Sequence, residues 1–149
     1  MAAFHELTID KLAANFELLD DWETRYAYLI DVGDKMPSMN DADKTEDNRV
    51  KGCQATVWLK ASREAGPPAI LNFSADSNSR IVKGLVAILV ILHSGKEPRD
   101  ILAIDAKAAL QRLDLEAHLS PTRKTGLHAM TKQIREIAAA ASGSLDAAP

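Results

Sequence analysis

Asn48-Arg49-Val50-Lys51-Gly52-Cys53-Gln54-Ala55-Thr56-Val57-Trp58-Leu59 is the stretch on which the reading of this chain turns. Its second half alternates apolar and polar residues, as a strand with one buried face does. Ala55, Val57, Leu59 and Ala61 fall on one side, and Thr56, Trp58, Lys60 and Ser62 on the other. Its first half reads as a flexible turn at the mouth of that strand, with Gly52 supplying backbone freedom that a residue with a Cβ lacks. The turn holds Cys53, the only cysteine of the 149 residues. A thiol's reactivity follows its thiolate character and its access. Arg49 and Lys51 are close in sequence and are expected to favour the thiolate by Coulomb attraction. The competing reading is an inert thiol, because free cysteine is often a small buried hydrophobe.

Working outward, Glu64-Ala65-Gly66-Pro67-Pro68 reads as a turn, and Ala69 to Ala75 alternates again, with Ala69, Leu71, Phe73 and Ala75 on one face. The two runs form an antiparallel hairpin, and Arg49-Val50 adds a short third strand. Such a hairpin is marginal alone and needs helices on its apolar face. Upstream, Thr8 caps a helix from Ile9 toward Leu19 with Leu12, Phe16 and Leu19 on one stripe. Asp20-Asp21 starts a second helix through Trp22, Tyr26, Leu29 and Ile30, and Gly33 is expected to end it. Its aromatics read as core residues. From Asp34 to Asn48 the chain is polar and reads as a surface loop; its acidic residues match no calcium-loop spacing.

Downstream, the caps in Asp76-Ser77-Asn78-Ser79 open a helix that is apolar nearly all round, from Ile81 to Leu92, with Gly95 ending it. Pro98 and Asp105 start two short helices, and Ser120-Pro121 starts a last one carrying Leu127, Met130, Ile134 and Ile137. The class is α+β, a small antiparallel sheet of about three strands packed against several helices.

Composition sets bounds on function. Net charge is −3, which gives no basic face for nucleic acid. One cysteine allows no internal disulfide, and the first 15 residues lack the form of a signal peptide. The longest apolar run is broken by Lys83 and Gly84 and is shorter than the ~20 residues of a membrane span. A reducing cytoplasm is the expectation. His5, His93, His118 and His128 are scattered without the short spacings of a zinc site and are expected to be solvated or hydrogen-bonded.

Arg49 through Leu59 closely resembles the cysteine-bearing signature of the SufE family, sulfur acceptors for cysteine desulfurases in iron–sulfur cluster assembly. Trp22 to Pro37 and Asp76 to Val86 resemble further family segments, with a departure at Asn78, where an acidic residue is often expected. His118-Leu-Ser-Pro-Thr-Arg-Lys-Thr-Gly-Leu, 118–127, resembles another SufE motif, from which Arg123 carries over as a residue engaging the desulfurase. The likeness covers roughly residues 8 to 141. It implies one SufE-like domain over 1–149, with an unstructured tail after about 141, and the fold shared with IscU-type scaffolds. It also implies that Cys53 sits at a loop tip beside an apolar cavity, sheltered by Trp58 or a neighbouring helix.

The activity implied is sulfur carriage rather than enzymatic turnover. Cys53 accepts sulfur as a persulfide, while Gly52, Gln54, Lys51 and Arg123 shape the loop or meet the partner. The protein has no cofactor of its own; the partner desulfurase uses pyridoxal phosphate. The partners implied are a SufS-type cysteine desulfurase, which the protein activates, and a SufBCD-type scaffold complex. No nucleic acid or membrane is involved, and the chain is a monomer or homodimer. The alternatives are a CsdE-type acceptor serving another desulfurase and a cluster scaffold, for which one cysteine supplies few ligands. A cysteine hydrolase, which needs a base near Cys53, and an interaction module with an inert thiol complete them.

Overall fold

The computed structural model describes residues 3–66 and 68–146, with side chains of 143–146 excepted. Among them are six helices and a two-stranded antiparallel sheet, so the class is α+β as expected. In chain order they are α1 (Ile9–Glu17), α2 (Trp22–Lys35), β1 (Val57–Glu64), β2 (Ile70–Ser77), α3 (Arg80–His93), α4 (Pro98–Ala103), α5 (Ala106–Arg112) and α6 (Pro121–Asp146). The chain writes its own helix starts. Thr8, Asp21, Ser79 and Asp105 each accept a hydrogen bond from an amide three residues on. The helix α6 is described as far as Asp146; 147–149, the end of the expected tail, lie outside the described residues, as does Pro67 in the hairpin turn.

The strands pair in register from Val57 opposite Ser77 to Glu64 opposite Ile70. Val57, Leu59, Leu71, Phe73 and Ala75 are buried, which bears out the predicted faces. The expected third strand is a single bridge, Arg49 opposite Trp58. Val50 N–H donates to the Val57 carbonyl and Leu59 N–H to that of Asn48, both at 2.8 Å. Pairing stops there because the backbone turns at Lys51-Gly52, with Gly52 at φ +93°.

Helix α3 is the centre of the core, buried along Val82 and from Gly84 to Val90. It packs against α2, β2 and α6. Gly33 does not end α2, as the sequence suggested. The helix runs on to Lys35 and is capped at Met36, while Gly33 lies buried inside it. Gly33 and Gly84 instead let the two helices touch backbone to backbone. A Cβ on Gly84 would lie 2.3 Å from the Leu29 carbonyl oxygen, and one on Gly33 would lie 2.8 Å from the Gly84 nitrogen.

A buried ionic knot ties the loop before the sheet to the core. Asp76, only 6% exposed, accepts the Ser77 N–H at 2.8 Å and meets Lys44 at 3.3 Å and Lys83 at 3.4 Å. Burial alone would raise this carboxyl. The Ser77 amide and the two lysines outweigh it and hold the group below the ordinary aspartate value. A carboxyl lowered on folding binds protons more weakly in the native state. Its contribution is complete above the ordinary aspartate value and is lost as pH falls through the folded one.

Two predictions follow from this packing. Gly84→Ala forces α2 and α3 apart and is expected to cost roughly 3 kcal/mol, the upper range for overpacking, read as a lower denaturation midpoint in urea. Stability is expected to fall as pH drops below about 4. Asp76→Asn is less stable at neutral pH, and its pH–stability curve is flatter over that acid range.

Candidate functional site

Cys53 lies between the Arg49 bridge and the start of β1, in a loop closed at its base. The Thr56 carbonyl accepts the Ser77 hydroxyl at 2.7 Å and the Asn78 N–H at 3.3 Å, which fixes the loop's exit. Gly52 is required twice over. Its φ of +93° suits glycine, and a Cβ there would lie 3.2 Å from the Ala129 Cβ. The loop therefore lies down on α6 instead of standing free as a flexible turn.

The thiol itself meets that helix. Cys53 is half-buried, and its Sγ–H donates to the Gly126 carbonyl at 3.4 Å. A Cβ on Gly126 would touch the sulfur at 3.4 Å, so the bare glycine makes the seat for the thiol. Burial pushes the Cys53 thiol above the ordinary cysteine value. At rest the group is a protonated thiol. The expected help from Arg49 and Lys51 is absent. Arg49 pairs with Glu46 at 3.7 Å, and both cations line a separate cleft with Asp47, Lys132 and Glu136.

Cys53 opens onto a cavity of about 500 Å³. Val82, Leu85 and Met130 give it an apolar floor, and Gln54, Ser79, Ser120, Thr122 and Arg123 give it polar walls. Of the residues singled out from sequence, Cys53, Gln54 and Arg123 meet here, while Gly52 and Lys51 line the other cleft. Arg123 is exposed, in the first turn of α6, where the Ser120 hydroxyl caps its N–H at 3.3 Å. Shelter for the thiol comes from α6. Trp58 faces the other side of the sheet, beneath the Lys44 ammonium at 5.6 Å from its ring.

Sequence reasoning missed Gly126, Ser79, Thr122 and Met130 as parts of the site. A small residue one helical turn after Arg123 is the one signal that pointed there. None of the four histidines lines the cavity. His118 stacks on Trp22 at 4.0 Å, and His128 contacts Glu116 at 2.5 Å. His93 is hydrogen-bonded, as expected, but through one nitrogen alone. It is fully buried; its Nδ1–H donates to the Leu89 carbonyl at 2.8 Å, and its Nε2 has no partner. Burial holds His93 below the ordinary imidazole value, against the pull of that carbonyl bond, and nearby Lys96 and Arg135 lower it further. Among the described residues no group of three or more His, Cys, Asp or Glu is arranged to hold a metal ion, and no helix is long and apolar enough to cross a membrane.

The family model for the SufE Fe-S metabolism associated domain matches residues 10–138. The chain belongs to the SufE family. An uncharacterized SufE-like protein of Rhizobium etli is 39% identical over 130 residues, covering 87% of this chain and 88% of the relative. Cys53, its cavity and Arg123 all fall within the matched region, and the family places this SufE protein in iron–sulfur metabolism.

The resting geometry predicts the thiol's titration. The alkylation rate of Cys53 by iodoacetamide is expected to rise with a midpoint above that of a free cysteine. Arg49→Ala and Lys51→Ala leave the midpoint in place, because both cations line a separate cleft. Gly52→Ala lifts the loop from α6 and moves the midpoint down toward the ordinary value, with faster labelling at pH 7.

Proposed function

We propose that Cys53 accepts sulfane sulfur from a SufS-type cysteine desulfurase as a persulfide, stimulates that enzyme, and hands the sulfur to a SufBCD-type scaffold complex. The observation that carries this reading is the seat of the thiol. A single cysteine lies at the mouth of a cavity with an apolar floor, and no histidine lines that cavity to serve as a hydrolase's base. An apolar floor beside the sulfur suits a group that must be held and kept from water and reductants.

The step is an exchange between thiol and persulfide. The Cys53 sulfur attacks the outer sulfur of the enzyme's cysteine persulfide. The enzyme's S–S bond breaks as a new one forms on Cys53, and the enzyme's cysteine takes up the proton that Cys53 gives up. Because burial keeps the thiol protonated, ionisation requires the loop to leave Gly126 for a wetter or more positive setting. Arrival of the partner supplies that change, and Arg123, exposed beside the cavity, meets the partner. Gly52 and Gln54 shape the loop, and Lys51 faces outward from it. In this reading the protein is a carrier with no cofactor of its own, acting in a reducing cytoplasm that keeps a lone thiol free.

Incubation with an active SufS-type desulfurase and cysteine, followed by intact mass, tests the reading. The expected result is a gain of one sulfur atom, removed by reductant and absent in Cys53→Ser. Desulfurase turnover rises in parallel. No added mass with an enzyme known to be active rejects the pairing.

A further inference from the structure

We propose that the Cys53 cavity also binds small thiols and persulfides that carry a carboxylate, with Arg123 as the carboxylate's partner. This rests on the reading of Cys53 as a sulfur acceptor and adds a second class of donor to it.

The cavity is larger than a single sulfur atom needs. At about 500 Å³ it lies within the roughly 300–1,000 Å³ range of small-molecule pockets, far beyond one sulfur atom. Its lining is divided. Val82, Leu85 and Met130 offer carbon surface beside Sγ, fit for the CH2–S end of a small thiol. Arg123 is the only charged residue of the lining, and among the described residues no carboxylate pairs with it. A guanidinium presents a planar fork of donors that matches a carboxylate. In the first turn of α6 the helix field opposes a cation, so Arg123 holds a position that an arriving anion would improve.

The register brings the two ends together. Arg123 and Gly126 are three residues apart on one face of α6 and both line the cavity. Gly126 is the residue against which Sγ rests. Guanidinium and sulfur thus line one cavity, where a small thiol acid can meet both. Exchange with a small persulfide R–S–SH balances on its own. The Cys53 sulfur attacks the outer sulfur of the donor, the donor's S–S bond breaks, and R–S⁻ leaves with the proton Cys53 gave up. Cys53–SH and R–S–SH become Cys53–S–SH and R–SH, with no outside oxidant or reductant.

The full-length protein, without desulfurase, is mixed with the persulfide of N-acetylcysteine or of its neutral amide, and loading of Cys53 is followed by intact mass over time. The acid is expected to load about fivefold faster at low concentration, the upper end for an exposed ion pair, and to saturate. Arg123→Ala removes the preference, and Arg123→Lys restores part of it. Equal rates for the two donors, or a preference that survives Arg123→Ala, overturn the inference. Loading by the desulfurase but by neither small donor sinks this inference alone. Loading by none of them sinks the acceptor reading with it.

Discussion

Contact between the backbones of α2 and α3 fixes how closely the two helices at the core pack. With Gly84 against the Leu29 carbonyl, the helices approach more closely than side chains allow. That brings α3 deep into the core, where its other faces meet β2 and α6. The position of α6 matters most for chemistry, since it carries Gly126, Ala129 and Arg123. A bulkier residue at the crossing would push α3 outward and shift the surface on which the cysteine loop rests. A packing constraint far from the sulfur thus governs the sulfur's surroundings.

The thiol is held in a state opposed to the exchange proposed for it. A sulfur acceptor needs thiolate, yet burial disfavours the charge and Gly126 accepts the S–H. At rest this guards the thiol against adventitious oxidation, because thiolate is the form that oxidants attack. Reactivity is then supplied by whatever draws the loop out.

Most of the fold was legible because local chemistry announces it. Thr8, Asp21, Ser79 and Asp105 cap where they were expected to cap, and the alternation in β1 and β2 faces the core as read. The errors share one cause, that contacts between distant segments leave no local trace. Gly33 has the look of a helix terminator, and only its approach to Gly84 explains why it lies inside a helix. Arg49 and Lys51 are neighbours of Cys53 in sequence, but the left-handed turn at Gly52 sends them to another cleft. His93 gave no sign that it would be buried with one nitrogen unpartnered, nor Asp76 that it would draw two lysines into a knot. The cysteine was found at once; its neighbours across 73 residues of chain were not.

The bridge at the root of the cysteine loop has a mechanical meaning. Val50 is bonded to Val57, and Thr56 is held by Ser77 and Asn78, so both ends of the loop are pinned to the sheet edge. Cys53 lies three residues from Val50, and an extended chain covers at most about 3.6 Å per residue. The sulfur is on a leash of about 10 Å. In the proposed exchange, any donor must bring its sulfur within that radius of the β1 edge.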